Sequence, residues 1–111
     1  MDKFLKEYQT FCSNTNKCVS NVQEMHLISG LGAECGEVLA LYQKFARDVQ
    51  SNYHLLSHKK FLKKRKRLRN ELAAELGDIL WHISELARWN NINLEALFRY
   101  NRIKLIKRHL K

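Results

Sequence analysis

An all-α fold is predicted by three features of this sequence. It has no proline and only four glycines among 111 residues, so the residues that punctuate sheets and tight turns are scarce. Its apolar residues recur at three- and four-residue steps, the period of a helix face. Its length and 45% hydrophobic content suit one domain with one core, residues 1–111, and leave no room for a separate cofactor module.

Phe4, Leu5, Tyr8, Phe11 and Cys12 form one face of a short first helix, which Ser13-Asn14-Thr15-Asn16 ends. Leu27, Leu31, Cys35, Val38, Tyr42, Phe45 and Val49 sustain a second helix from about Gln23 to Tyr53. Leu68, Leu72, Leu76, Ile79, Ile83 and Leu86 give a third, ending near Trp89. Asn90-Asn91-Ile92-Asn93 reads as a loop whose last residue caps a fourth helix, from about Leu94 to His109.

Between the second and third stripes, Lys59, Lys60, Lys63, Lys64, Arg65, Lys66, Arg67 and Arg69 place eight of the chain's twenty Lys+Arg within eleven residues, and no acid occurs from Val49 to Asn70. Such a block repels itself and is expected to be solvated, although Phe61, Leu62 and Leu68 can seat it as a helical extension. The formal charge of +9 points to phosphate-bearing partners. Cys12, Cys18 and Cys35 are odd in number and fit no disulfide framework, and with His26 they match no zinc spacing, so a reducing cytoplasm is expected. Cys35 reads as a small core hydrophobe. The first residues lack the apolar run of a signal sequence and nothing approaches a membrane span, so no membrane partner is expected.

The acids stand out against this background. On the third helix Glu71, Glu75, Asp78, His82 and Glu85 share a strip about 80° wide, in which like charges repel. On the second, Glu34 projects between Val38 and Leu41, inside the core-facing arc, and Glu37 lies at its edge. A carboxylate taken out of water needs a cation or a donor. Glu34 and Glu37 are three apart, as are Glu75 and Asp78, so two facing antiparallel helices would bring both pairs to one ion. Oxygen ligands without paired His or Cys favour Mg²⁺, with Mn²⁺ as the alternative, over Zn²⁺. The same spacing also suits surface ion pairs with Lys44, Arg47 and the basic block.

The segment Gly30-Leu31-Gly32-Ala33-Glu34-Cys35-Gly36-Glu37-Val38 and, later, Glu75-Leu76-Gly77-Asp78-Ile79-Leu80-Trp81 resemble the ExxE and ExxD signature of the MazG-like, all-α nucleoside triphosphate pyrophosphohydrolases. Tyr8-Gln9 resembles the family's N-terminal YQ, and Asn101, Lys104, Leu105 and Arg108 its C-terminal N-x-x-K-L-x-x-R. The resemblance implies a four-to-five-helix bundle completed by oligomerisation, as a homodimer or homotetramer. It implies Glu34, Glu37, Glu75 and Asp78 as Mg²⁺ ligands. One carboxylate must take the proton of the attacking water, and Glu37 or Glu34, whose apolar surroundings should raise its proton affinity, is expected as that catalytic base. The reaction it implies is hydrolysis of a (deoxy)nucleoside triphosphate to the monophosphate and pyrophosphate, in cleansing of the nucleotide pool.

Asn101, Lys104 and Arg108 share a face of the last helix and would bind the triphosphate, as would Lys44 on the side of the acids; Trp81 would stack on the base. Glu71 is an accessory-ligand candidate, and His82 could touch metal-bound water. Gly36 and Gly77, costly inside helices, are expected to permit close helix approach at the metal site. One departure is the interval of 37 residues between Glu37 and Glu75, whose surplus, at about 54–70, is the basic insertion. That insertion could project as a hairpin, collect triphosphate or bind a nucleic acid. Two other readings of the whole chain are a small basic helical nucleic-acid-binding protein and a catalytically idle oligomeric partner.

Overall fold

The computed structural model describes residues 2–18 and 22–110; Met1 and Lys111, the ends of the expected domain, lie outside the described residues. The elements are α1 (Lys3–Thr15), α2 (Gln23–Ser51), a 3-10 turn at Tyr53–Leu55, α3 (His58–Trp89) and α4 (Leu94–His109). Among the described residues there is no strand, and no helix is long and apolar enough to cross a membrane. The all-α expectation holds, with all four helices in the expected order.

Helix ends follow from local chemistry. Asp2 Oδ1 accepts the N–H groups of Phe4 and Leu5 and so caps α1. Asn93 does the same for α4, accepting from Ala96 N–H at 2.8 Å. At the end of α3, Asn91 turns left-handed at φ 57°, while Ile92 N–H reaches Ala87 O and Asn91 N–H reaches Arg88 O. That double bond pattern closes the last carbonyls, and asparagine tolerates the left-handed conformation better than most side-chain-bearing residues. The basic block is helical, because α3 starts ten residues before Leu68. Ser57 Oγ accepts from Lys60 N–H at 3.2 Å, a cap that starts the helix ahead of the cations.

The chain divides into two compact units, Met1–Ile28 with Trp81–Lys111, and Ser29–Leu80. In the first, Cys12, Leu27, Ala87 and Leu94 are buried, each leucine contributing about 1.5–3 kcal/mol. Polar ties fasten this core. Gln9 donates to Ile92 O, Trp81 Nε1–H donates to Thr15 Oγ1 at 2.8 Å, and Asn16 donates to Glu85 Oε1 at 2.7 Å. Glu85 has no exposed surface and is forked by Arg88 through two bonds of 2.9 Å. Burial alone would raise its pKa; Arg88 and Asn16 outweigh that and hold it below the usual carboxylate value. Glu85 therefore leaves the acid strip and serves the core, which its spacing alone did not reveal.

In the second unit α2 and α3 pack antiparallel. The Phe45 and Phe61 rings lie 6.1 Å apart, and Arg65 covers Phe45 at 5.8 Å. Farther along, Glu34 and Glu37 meet Glu75, so rising numbers on α2 face falling numbers on α3. Among the described residues of this unit Leu68 is the one buried hydrophobe, while Leu39, Tyr42, Leu76 and Leu80 stay exposed. Cys35 is exposed as well, which corrects its assignment to the core: the α2–α3 contact is narrower than the apolar stripe of α2.

Candidate functional site

Each acid reaches the site through helical spacing. Glu34 and Glu37, three apart on α2, lie on adjacent turns of one face. Glu75 comes from the antiparallel α3. One carboxylate oxygen of each of the three lies within 4.8 Å of the others. Two oxygens on one cation stand at most twice the metal–oxygen bond apart, about 4.2 Å for Mg²⁺ and up to about 5 Å for a larger hard cation. The three oxygens need draw together by at most a few tenths of an ångström to share Mg²⁺. The cluster is therefore compact enough to share an ion.

Its electrostatics point the same way. Glu34 Oε2 and Glu75 Oε2 are both shut away from water without a hydrogen-bond partner. Two ionised carboxylates are acceptors only; a hydrogen bond joins them only while one carries a proton. Glu75 accordingly binds its proton more tightly than usual, first because of the bond to Glu34, then through burial and the charges of Glu34 and Asp78, with Glu37 opposing. Glu37 is raised too, chiefly by its bond to Glu75 and that residue's charge, with smaller help from burial and Asp78 and opposition from Glu34. Glu37 is exposed, so its shift comes chiefly from neighbouring carboxyls, and desolvation adds less than its position in the sequence suggested. A divalent cation would supply the partner that the two sequestered oxygens lack, and three carboxylate oxygens with no His or Cys suit a hard divalent cation.

Asp78 is exposed and is not among the three converging oxygens, though its charge acts on Glu37 and Glu75. Glu71 is engaged by Arg67 at 3.0 Å. Lys44 lines a small pocket of about 70 Å³ with Leu41, Phe45, Lys64, Arg67 and Glu71. Lys64 and Arg67 were not singled out as site candidates, and their only signal was membership of the basic block. Among the described residues, a Cβ at Gly36 or Gly77 would meet nothing within 4 Å, so the expected close helix approach at these glycines is absent there. These residues belong to Ser29–Leu80. Trp81, Asn101, Lys104 and Arg108 belong to the other unit. There Trp81 spends its indole N–H on Thr15 and meets the His82 ring edge-on at 5.0 Å, and Asn101, Lys104 and Arg108 are exposed on α4.

A family model described as the MazG nucleotide pyrophosphohydrolase domain matches residues 23–111. The match starts at the first residue of α2 and includes every acid of the cluster, while Tyr8-Gln9 on α1 falls outside it. No curated protein and no solved structure matches the chain. With about four fifths of its length covered by that model and helices throughout, the chain belongs to the MazG nucleotide pyrophosphohydrolase family.

Proposed function

We propose that this protein is a Mg²⁺-dependent pyrophosphohydrolase that converts a (deoxy)nucleoside triphosphate and water to the monophosphate and pyrophosphate, as cytoplasmic nucleotide-pool housekeeping. The observation that carries the reading is the pair of sequestered, unpartnered oxygens on Glu34 and Glu75 within a three-carboxylate cluster. Glu34, Glu37 and Glu75, with Asp78 completing the set, would hold the Mg²⁺, Mn²⁺ being the alternative. A bound divalent ion would offset phosphate charge and make a water molecule more acidic.

The remaining work falls to the chain. Glu37 combines solvent access with raised proton affinity, which suits a base taking the proton of the attacking water. Glu34 and Glu75 hold fixed positions because each has an oxygen packed out of solvent. Lys44, on the helix that carries Glu34 and Glu37, offers an ammonium to phosphate oxygens. Asn101, Lys104 and Arg108 are assigned to phosphate binding by their match to N-x-x-K-L-x-x-R, and Trp81 to the base.

A homo-oligomer is part of the proposal. The unit Ser29–Leu80 buries a single hydrophobe and leaves Leu39, Leu76 and Leu80 bare, beside Gly36 and Gly77, whose Cβ positions are open. So thin a core calls for a covering surface, and a second copy of the same helices supplies one.

The deciding experiment incubates the protein with a panel of ordinary and modified triphosphates, with Mg²⁺ and then with chelator, and measures monophosphate and pyrophosphate. Metal-dependent release of pyrophosphate from at least one substrate is expected. Absence of turnover across the panel defeats the enzymatic reading.

A further inference from the structure

The basic N-terminal third of α3 takes no part in the acid cluster, and most of its cations have no ion-pair partner among the described residues. Of the eight cations from Lys59 to Arg69, Arg67 alone forms an ion pair among the described residues, with Glu71. All are exposed except Lys64, which is half-buried. The nearest upstream acid, Asp48 on α2, lines one small pocket with Lys64 and Arg67, and neither it nor Glu71 is beside Lys59, Lys63 or Lys66 in that pocket. Holding so many ammonium and guanidinium groups on one rigid helix without counter-charges is unfavourable, and a polyanion relieves it.

Which polyanion follows from how the helix is dressed. At about 100° per residue, Lys59, Lys63 and Lys66 fall within a strip about 60° wide, about 10 Å long at 1.5 Å per residue. Lys60 and Arg67 lie along one edge of it and Leu62 along the other. The other apolar residues point elsewhere: Leu68 is buried and Phe61 rests on Phe45, leaving Leu62 as the exposed apolar side chain of the block. A helix that lies on a lipid surface needs a broad apolar face to sink into the acyl boundary, and this one has spent its apolar face on α2. A row of cations at single-turn steps instead matches a polymer of regularly spaced phosphates. Just ahead of the row, the 3-10 turn exposes Tyr53, 73% accessible, with the His54 ring edge-on to it at 5.6 Å. An open aromatic beside a cationic track is a stacking platform for unpaired bases.

We propose that the segment from Tyr53 to Arg69 binds single-stranded nucleic acid, with Lys59, Lys63 and Lys66 on its phosphates and Tyr53 against a base. The surface is separate in sequence and in charge from the acid cluster, so it stands whether or not the protein hydrolyses triphosphates.

The test titrates the intact protein with a fluorescent mixed-sequence single-stranded 20-mer across a salt series, with and without a saturating nonhydrolysable triphosphate and Mg²⁺. Affinity should fall steeply with salt and be unmoved by the triphosphate. Replacing the three lysines together, Lys59→Gln, Lys63→Gln and Lys66→Gln, should weaken binding at least tenfold and reduce the slope of log K against log salt by about 2, at about 0.7 per lost phosphate contact. Tyr53→Ala should weaken binding severalfold with the slope unchanged, a readout that survives if the triple variant folds poorly. Failure of the wild-type protein to bind at 50 mM salt overturns the proposal. So does an unchanged slope in a well-folded triple variant, binding abolished by the triphosphate, or capture by vesicles rich in phosphatidylserine with none of the oligonucleotide.

Discussion

Glu75 on α3 holds its proton more tightly than an ordinary glutamate, and the leading cause is Glu34, which meets it from α2. Two acids that would repel at neutral pH are packed together with an oxygen of each sealed from water. The arrangement is a local loss of stability that a cation reverses, which makes it measurable without any substrate.

Without divalent cations the folded-state pKa of Glu37 and Glu75 lies above the unfolded value near 4.5. Their contribution is most favourable below that value and is lost as pH rises through the shifted one. Mg²⁺ competes with those protons, so the rise in Tm that it produces should be small at pH 4 and grow toward neutrality. At about 100 times Kd the gain should approach 2.7 kcal/mol. Scanning Tm against pH with Mg²⁺ or with chelator checks this, and Glu75→Gln should erase the Mg²⁺ increment while leaving the metal-free protein at least as stable at pH 7.

Glu37→Gln keeps the shape of the side chain but cannot accept the proton of an attacking water. Pyrophosphate release at saturating substrate should drop about 10²–10⁴-fold, with helicity by circular dichroism unchanged. A loss under threefold would remove Glu37 from the role of base.

Glu85 behaves oppositely. Its pKa is held below the usual value by Arg88 and Asn16 against the pull of burial, so it stabilises the fold above the unfolded pKa and that stability disappears as pH falls through the depressed one. Glu85→Ala leaves Arg88 and Asn16 without their partner and should cost about 2–3 kcal/mol at pH 7. Chemical denaturation of the variant at pH 7 and at pH 3 should show the difference shrinking in acid.

Gly36→Leu places a bulky side chain where the chain's own fold leaves space. Helicity should hold or rise, because leucine is the better helix former by nearly 1 kcal/mol. The proposed homo-oligomer should dissociate, seen as a fall in mass by light scattering after gel filtration. An oligomer of unchanged mass would move the interface away from this face.

Much of the fold was legible because helices obey local rules. The spacing of Leu68 through Leu86 and the cap at Asn93 depend on nearest neighbours along the chain, and α4 occupies the expected Leu94–His109. The start of α3 was less so: the block from Lys59 to Arg69 reads as a self-repelling segment, yet Ser57 caps it and Phe61 and Leu68 anchor it on α2. At the site, the spacings suggest that Glu34, Glu37, Glu75 and Asp78 meet at one ion; the structure brings together oxygens of Glu34, Glu37 and Glu75, and Asp78 is not among them. Cys35 and Gly36 misled because periodicity says which residues share a face and not how much of that face a neighbour covers.

The sequence by itself determined where the helices run, the start of α3 apart, and that two acid pairs stand at three-residue spacing, because backbone periodicity and capping are set within a few residues. Only the tertiary structure decided that Glu34 and Glu75 lose an oxygen each from solvent, that Glu37 stays wet, and that Glu85 is a paired core residue. Desolvation and proton affinity depend on what the opposite helix brings within a few ångströms, and no spacing along one chain contains that distance.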